Sequence, residues 1–166
     1  MRAIYITGFM GSGKTTVGRR LGELLNLPVF DTDEHVSNLE TMSISKIFAS
    51  KGEKEFRKLE SDMLRSLPTE DCIITTGGGI ILAEENRVWM KENGHYVYLY
   101  CDPGEIVQRL AGDESRPLIS GDKKKELLPL FLTRKSLYEE AEFHIDTTSK
   151  SIEVIAEEII KSIKIA

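Results

Sequence analysis

The chain has 166 residues, 40% of them hydrophobic and 30% charged, the balance of a single globular domain and too short for two ordinary ones. Its 22 Lys and Arg against 27 Asp and Glu leave a net charge of −5, which excludes the cationic excess that nonspecific binding to nucleic-acid phosphates needs. No apolar run approaches the roughly 20 residues of a membrane span, the N-terminus has no signal-peptide pattern, and the two cysteines, Cys72 and Cys101, read as free thiols, so a cytoplasmic protein that binds neither nucleic acid nor membrane is expected.

Apolar runs alternate with helical patterns along the chain. Residues 3–6 predict a strand that stops at Thr7-Gly8. From Lys14 the spacing of Val17, Leu21, Leu24 and Leu25 predicts a helix, broken at Asn26-Leu27-Pro28. Val29-Phe30 predicts a second strand, ending at Asp31-Thr32-Asp33. Residues 34–67 predict helix in pieces divided at Gly52, with Phe56, Leu59, Met63 and Leu67 on one face. Cys72 to Thr75 reads as a strand buried on both faces, because its polarity hardly alternates. A helix over 83–93 is expected to end at Gly94 as its C′ residue. Tyr96 to Tyr100 has the strongest β-propensity. Asp102-Pro103-Gly104-Glu105 predicts a helix start, with Asp102 as cap and Glu105 completing a capping box. Residues 112–125 predict a loop and 125–140 a helix; His144 to Asp146 predicts a last strand, and Ile152, Ile155, Ile159, Ile160 and Ile163 a closing amphipathic helix. Strands alternating with helices throughout predict an α/β fold, a parallel sheet covered on both faces.

Several patterns carry chemistry. Gly8-Phe9-Met10-Gly11-Ser12-Gly13-Lys14-Thr15 matches G-x-x-x-x-G-K-[ST] between a predicted strand and helix. Such a loop turns backbone N–H groups toward phosphate oxygens, and the helix N-terminus adds further donors. Lys14 would face the β- and γ-phosphates and the Thr15 hydroxyl could ligate Mg²⁺. Asp31 and Asp33 come to the same sheet edge; one carboxylate can serve Mg²⁺, through water, and the other can take a substrate proton, but spacing does not say which. Glu53, Arg57 and Glu60 share one helix face, so the acids can aim the arginine at an anion or form a plain surface row. Gly77-Gly78-Gly79 offers bare backbone to a ligand or makes a tight turn. Arg116, in the polar loop, fits a lid that brings a cation to the transferred group. Arg134 alone is indistinguishable from a solvated helix charge, and His35, His95 and His144 lack metal-ligand spacing.

Together these residues resemble the shikimate kinase family. The likeness spans about Ile4 to Ile160 and rests on the phosphate loop continued through Thr16-Val17-Gly18-Arg19, on Phe30-Asp31-Thr32-Asp33, and on Ile47-Phe48, Gly52-Glu53 and Phe56-Arg57. It continues with Gly77-Gly78-Gly79, Arg116-Pro117-Leu118, and Arg134 with Tyr138. The resemblance implies a single nucleoside-monophosphate-kinase-like P-loop domain, a five-stranded parallel sheet between helices, with a substrate-binding segment at about 34–60 and a lid at about 112–125. It implies transfer of the ATP γ-phosphate to the 3-hydroxyl of shikimate, with ATP and Mg²⁺ required, in aromatic amino-acid synthesis, by a monomer. It implies catalytic roles for Asp33, Lys14 and Arg116. ATP would be bound by Gly11, Ser12, Gly13, Lys14, Thr15, Thr16, Arg109, Arg116 and Lys150, and shikimate by Asp33, Arg57, Gly78, Gly79 and Arg134. Thr15 and, through water, Asp31 would serve the metal.

The sequence departs from the family at Val36-Ser37, where an isoleucine-glutamate pair is frequent, and at Thr147 to Ser151, where proline often flanks the adenine. The alternatives are a gluconate-type kinase, against which Gly77-Gly78-Gly79 and Phe56-Arg57 speak, and a regulatory nucleotide-binding module, which would have no need of Asp33 and both arginines.

Overall fold

Five of the apolar runs become strands: β1 (Ala3–Gly8), β2 (Val29–Asp31), β3 (Ile73–Thr75), β4 (Gly94–Tyr100) and β5 (Phe143–Asp146). The computed structural model describes residues 1–111 and 124–165, and in it every strand pairing is parallel, in the order β2-β3-β1-β4-β5. The helices are α1 (Lys14–Leu25), α2 (Thr32–Glu40), α3 (Ile44–Ser66), α4 (Glu84–Asn93), α5 (Pro103–Ala111), α6 (Lys124–Tyr138) and α7 (Ile152–Ile165). A short 3-10 turn, Ile80–Leu82, precedes α4.

The central strands show why the sheet is covered on both sides. Successive side chains of a strand point to opposite faces. On one face Tyr5, Ile74, Tyr96 and Tyr98 pack with Leu64 of α3, Met90 of α4, Ile106 of α5 and Phe131 and Tyr138 of α6. On the other, Ile4, Ile6, Ile73 and Val97 pack with Val17 and Leu21 of α1 and with Ile155 and Ile159 of α7. A satellite core of Val36, Ile47 and Phe56 joins α2 to α3. Cys72 and Cys101 are buried free thiols. No described helix is long and apolar enough to cross a membrane.

Three local expectations need correction. Gly94 does not close α4 in a left-handed conformation; it is extended (φ −159°, ψ −172°) and opens β4. Glycine is needed there for close approach, since a Cβ would lie 2.4 Å from the Tyr5 ring and 2.5 Å from the Ala3 carbonyl. At the start of α5, Asp102 does cap, accepting from the Gly104 N–H at 2.9 Å. Glu105 does not complete a capping box: the Asp102 N–H goes to Thr148 Oγ1 (3.0 Å), and the Glu105 carboxylate accepts from the Ser149 N–H and from Arg109. Leu24, placed on the apolar stripe of α1, is exposed, whereas Val17 and Leu21 are buried.

Gly52 does divide the polar helical stretch. The chain is helical on both sides of it, but its own backbone (φ 83°, ψ 166°) breaks α3 into two pieces. The first piece and α2 form a flap beside the carboxyl ends of the strands, where a parallel sheet places its ligands.

Candidate active site

Gly8 ends β1 and α1 begins at Lys14, so the loop between them wraps the N-terminus of α1 at the centre of the sheet. Gly11 and Gly13 take positive φ values of 78° and 91°, which turns the loop back on itself. The Lys14 ammonium donates to the Gly8 and Phe9 carbonyls at 2.7 and 3.0 Å, among its contacts. A cleft of about 610 Å³ opens over this loop and is lined by Gly11, Ser12, Gly13, Lys14, Thr15 and Thr16, with Asp31, Arg109 and Lys150 around it. Arg109 is fixed by bonds to the Gly11 carbonyl (3.1 Å) and Glu105 (3.2 Å), and Lys150 pairs with Glu158 at 3.1 Å. Ile152 and Ile155 give the cleft an apolar wall.

Asp31 and Asp33 occupy different local settings. Asp31 ends β2 and caps α2: one carboxylate oxygen accepts from the Glu34 N–H (3.0 Å) and the other from the Thr75 hydroxyl (2.8 Å). Asp33 lies in the first turn of α2, with its carboxylate against Gly77, where a Cβ would come within 2.7 Å of it. The Gly77 N–H donates to the buried Thr32 hydroxyl at 3.3 Å, tying the glycine loop to α2.

A second cleft, about 500 Å³, lies between the flap, the glycine loop and α6. It brings together Arg57, Gly78, Gly79 and Arg134, with Phe48 and Phe56 on one side and Leu127 and Leu130 on the other. Met10, Asp33, Gly77 and Gly78 line both clefts, so the two chambers meet at Asp33.

Arg57 is held from several directions. Glu60 pairs with it at 3.1 Å and Glu53 at 3.4 Å. Its guanidinium carbon lies 5.3 Å from the Phe56 ring centre and 5.9 Å from that of Phe48, within cation–π range. Gly79 leaves room for it, since a Cβ there would be 2.2 Å from its Nη1. Glu60 is 1% exposed, so this is no surface ion-pair row. Burial raises the Glu60 carboxyl to about 7, and the nearby Asp33 adds to the rise, while Arg57 and Arg134 oppose it.

The structure therefore brings all the described residues of the expected site to one edge of the sheet. Arg116 and most of the lid expected at 112–125 lie in residues 112–123, outside those described, and residues 124 and 125 already belong to α6. No sequence pattern points to the Thr75 support of Asp31, to the aromatic pair packed around Arg57, or to a bond from the Tyr138 hydroxyl to the Gly78 carbonyl. The pairing of Glu105 with Arg109 does have a sequence signal, their spacing of four on one helix.

Residues 10–164 match the family model described as shikimate kinase. The chain belongs to the shikimate kinase family. It is 53% identical over 163 residues to the shikimate kinase of Bacillus cytotoxicus, covering 98% of this chain and 99% of that one. Among solved structures it is similar to shikimate kinase from Acinetobacter baumannii in complex with shikimate (35% identity, TM-score 0.91, 98% of this chain and 93% of that chain). It is also similar to shikimate kinase from Aquifex aeolicus (37% identity, TM-score 0.86, 98% and 96%). The two solved structures match the five-stranded parallel P-loop architecture of this chain over 98% of its length.

Proposed function

We propose that the chain transfers the γ-phosphoryl group of ATP to the 3-hydroxyl of shikimate, giving shikimate 3-phosphate and ADP. The observation that carries this reading is the meeting of a phosphate-loop cleft and an arginine-bearing cleft at a shared carboxylate, Asp33. Shikimate offers one carboxylate and three hydroxyls. Arg57 and Arg134 supply the cations for the carboxylate, and the backbone of Gly78 and Gly79 lets the ring approach closely. Asp33 then faces the hydroxyl that reacts.

In the transfer, the shikimate oxygen forms a bond to the γ-phosphorus, the bond from that phosphorus to the bridging oxygen of ADP breaks, and Asp33 accepts the hydroxyl proton. Little covalent help is needed in such a reaction, so the protein contributes chiefly position and charge. Backbone N–H groups of Gly11 to Thr16 and the Lys14 ammonium offset charge on the phosphates, Arg109 and Lys150 flank the base, and Arg116, outside the described residues, is assigned to ATP and to the chemistry by the family resemblance alone. The segment 34–60 forms the shikimate side.

Mg²⁺ fits the donors present. Thr15 and Asp31 line the same cleft, and each Asp31 oxygen accepts one hydrogen bond from the described residues, which leaves lone pairs for a bridging water. The ion would supply charge neutralisation to the phosphates, and Thr15 and, through water, Asp31 would hold it. The reading takes the chain to act as a monomer in the cytoplasm; both clefts are built within one chain, as a monomer requires.

The test is ADP release from ATP and Mg²⁺ with shikimate, gluconate or no acceptor. Release only with shikimate is expected. Release with gluconate instead, or ATP binding without release to any acceptor, contradicts the reading.

A further inference from the structure

We infer that Tyr138 is a positioning residue of the acceptor site, its hydroxyl fixing the peptide between Gly78 and Gly79 against which shikimate is held. This rests on the shikimate kinase reading above.

Three consecutive glycines have no side chains to lock their peptide planes, so the orientation of each plane depends on what its N–H and C=O bond to. The Gly77 N–H goes to Thr32 Oγ1, and the Gly77 carbonyl accepts from the Ile80 N–H at 3.1 Å. The Gly78 carbonyl accepts from the Tyr138 hydroxyl. In a planar trans peptide the carbonyl of one residue and the N–H of the next point opposite ways. Holding the Gly78 carbonyl on the Tyr138 side therefore turns the Gly79 N–H to the other side. Gly78 lies at the junction of the clefts and Gly79 in the acceptor cleft.

Tyr138 is itself immobilised. It ends α6, is 0% exposed, and stacks on Tyr98 with ring centres 5.1 Å apart and planes 11° from parallel. Burial raises its phenol to about 12, against the opposing pull of Arg134 and Arg57, so it remains a donor at neutral pH. Arg134 precedes it by four residues and shares its helix face. One buried side chain thus sets the register between the glycine backbone and an arginine of the acceptor site. The stack alone does not call for this hydroxyl: that of Tyr98, in the same stack, is buried with no hydrogen-bond partner among the described residues.

The experiment compares Tyr138→Phe with the control Tyr98→Phe. Each keeps its ring and loses one hydroxyl. For Tyr138→Phe the shikimate KM should rise about tenfold, the scale of one buried hydrogen bond, with the ATP KM within about twofold of wild type. Tyr98→Phe should change neither KM. Tyr138→Met, which also lacks the hydroxyl, should give the same split and stands in if Tyr138→Phe melts below the assay temperature. An unchanged shikimate KM, an equal rise in both KM values, or the same split from Tyr98→Phe overturns the assignment. Wild-type protein without shikimate-dependent ADP release contradicts the proposed function itself, whereas wild-type release with an unaltered Tyr138→Phe contradicts only the role of Tyr138.

Discussion

Glu60 places a carboxyl where charge is costly, beneath Arg57, the arginine proposed to hold the substrate carboxylate. Burial raises it to about 7 in the folded chain, from an ordinary value of 4.5. Between those values the folded protein binds more protons at this position than the unfolded chain does. Its contribution to stability is therefore full below about 4.5, falls as pH rises toward 7, and is flat above. Melting temperature measured across this window should fall more steeply with pH in the wild type than in Glu60→Gln. Identical slopes in the two proteins would show that Glu60 titrates normally. At this scale the sequence is informative where partners are near in the chain. The spacing of Glu53, Arg57 and Glu60 announces the pairing, but not that Glu60 is buried. It is silent on Thr75 with Asp31 and on Tyr138 with Gly78, because those bonds join residues 44 and 60 positions apart.

At the scale of elements, periodicity locates the helices and strands well because most carry one apolar face toward a sheet buried on both sides. It fails where one residue type serves two ends. Gly94 has the pattern of a helix stop and instead begins β4, since what demands glycine there is the Tyr5 ring on the neighbouring strand. Glu105 has the spacing of half a capping box and instead ties α5 to the loop before α7 through the Ser149 N–H. Gly52 is the break that the sequence predicts. Its conformation, φ 83° and ψ 166°, is one that residues with a side chain rarely adopt, although no atom lies within 4 Å of a Cβ built there. Gly52→Ala should accordingly cost about 1–3 kcal/mol through backbone strain alone, measured by denaturant unfolding. A neutral substitution would mean that the join between the two pieces of α3 relaxes freely. The break also lets the piece carrying Phe48 meet the piece carrying Arg57 around one guanidinium.

The molecule as a whole follows from placing β1 in the middle of a parallel sheet. The phosphate loop leaves β1, the aspartates leave β2 and the glycine loop leaves β3, so three adjacent strand ends deliver the phosphate-loop cleft, the shared carboxylate and the glycine backbone of the second cleft to one edge. The phosphate loop and the strand–helix alternation make this architecture legible in the sequence. The division into two chambers is not legible there, because it depends on how the flap and α6 fold over the sheet. On the proposed mechanism Asp33, where the chambers meet, takes the proton during transfer. The most direct measurement is kcat for Asp33→Asn at saturating ATP and shikimate, with ATP binding followed in parallel by thermal shift. The expected result is a loss of about a hundredfold or more in kcat, the usual scale for general-base catalysis, with ATP binding retained. A kcat within a few-fold of wild type, with ATP still bound, would contradict it.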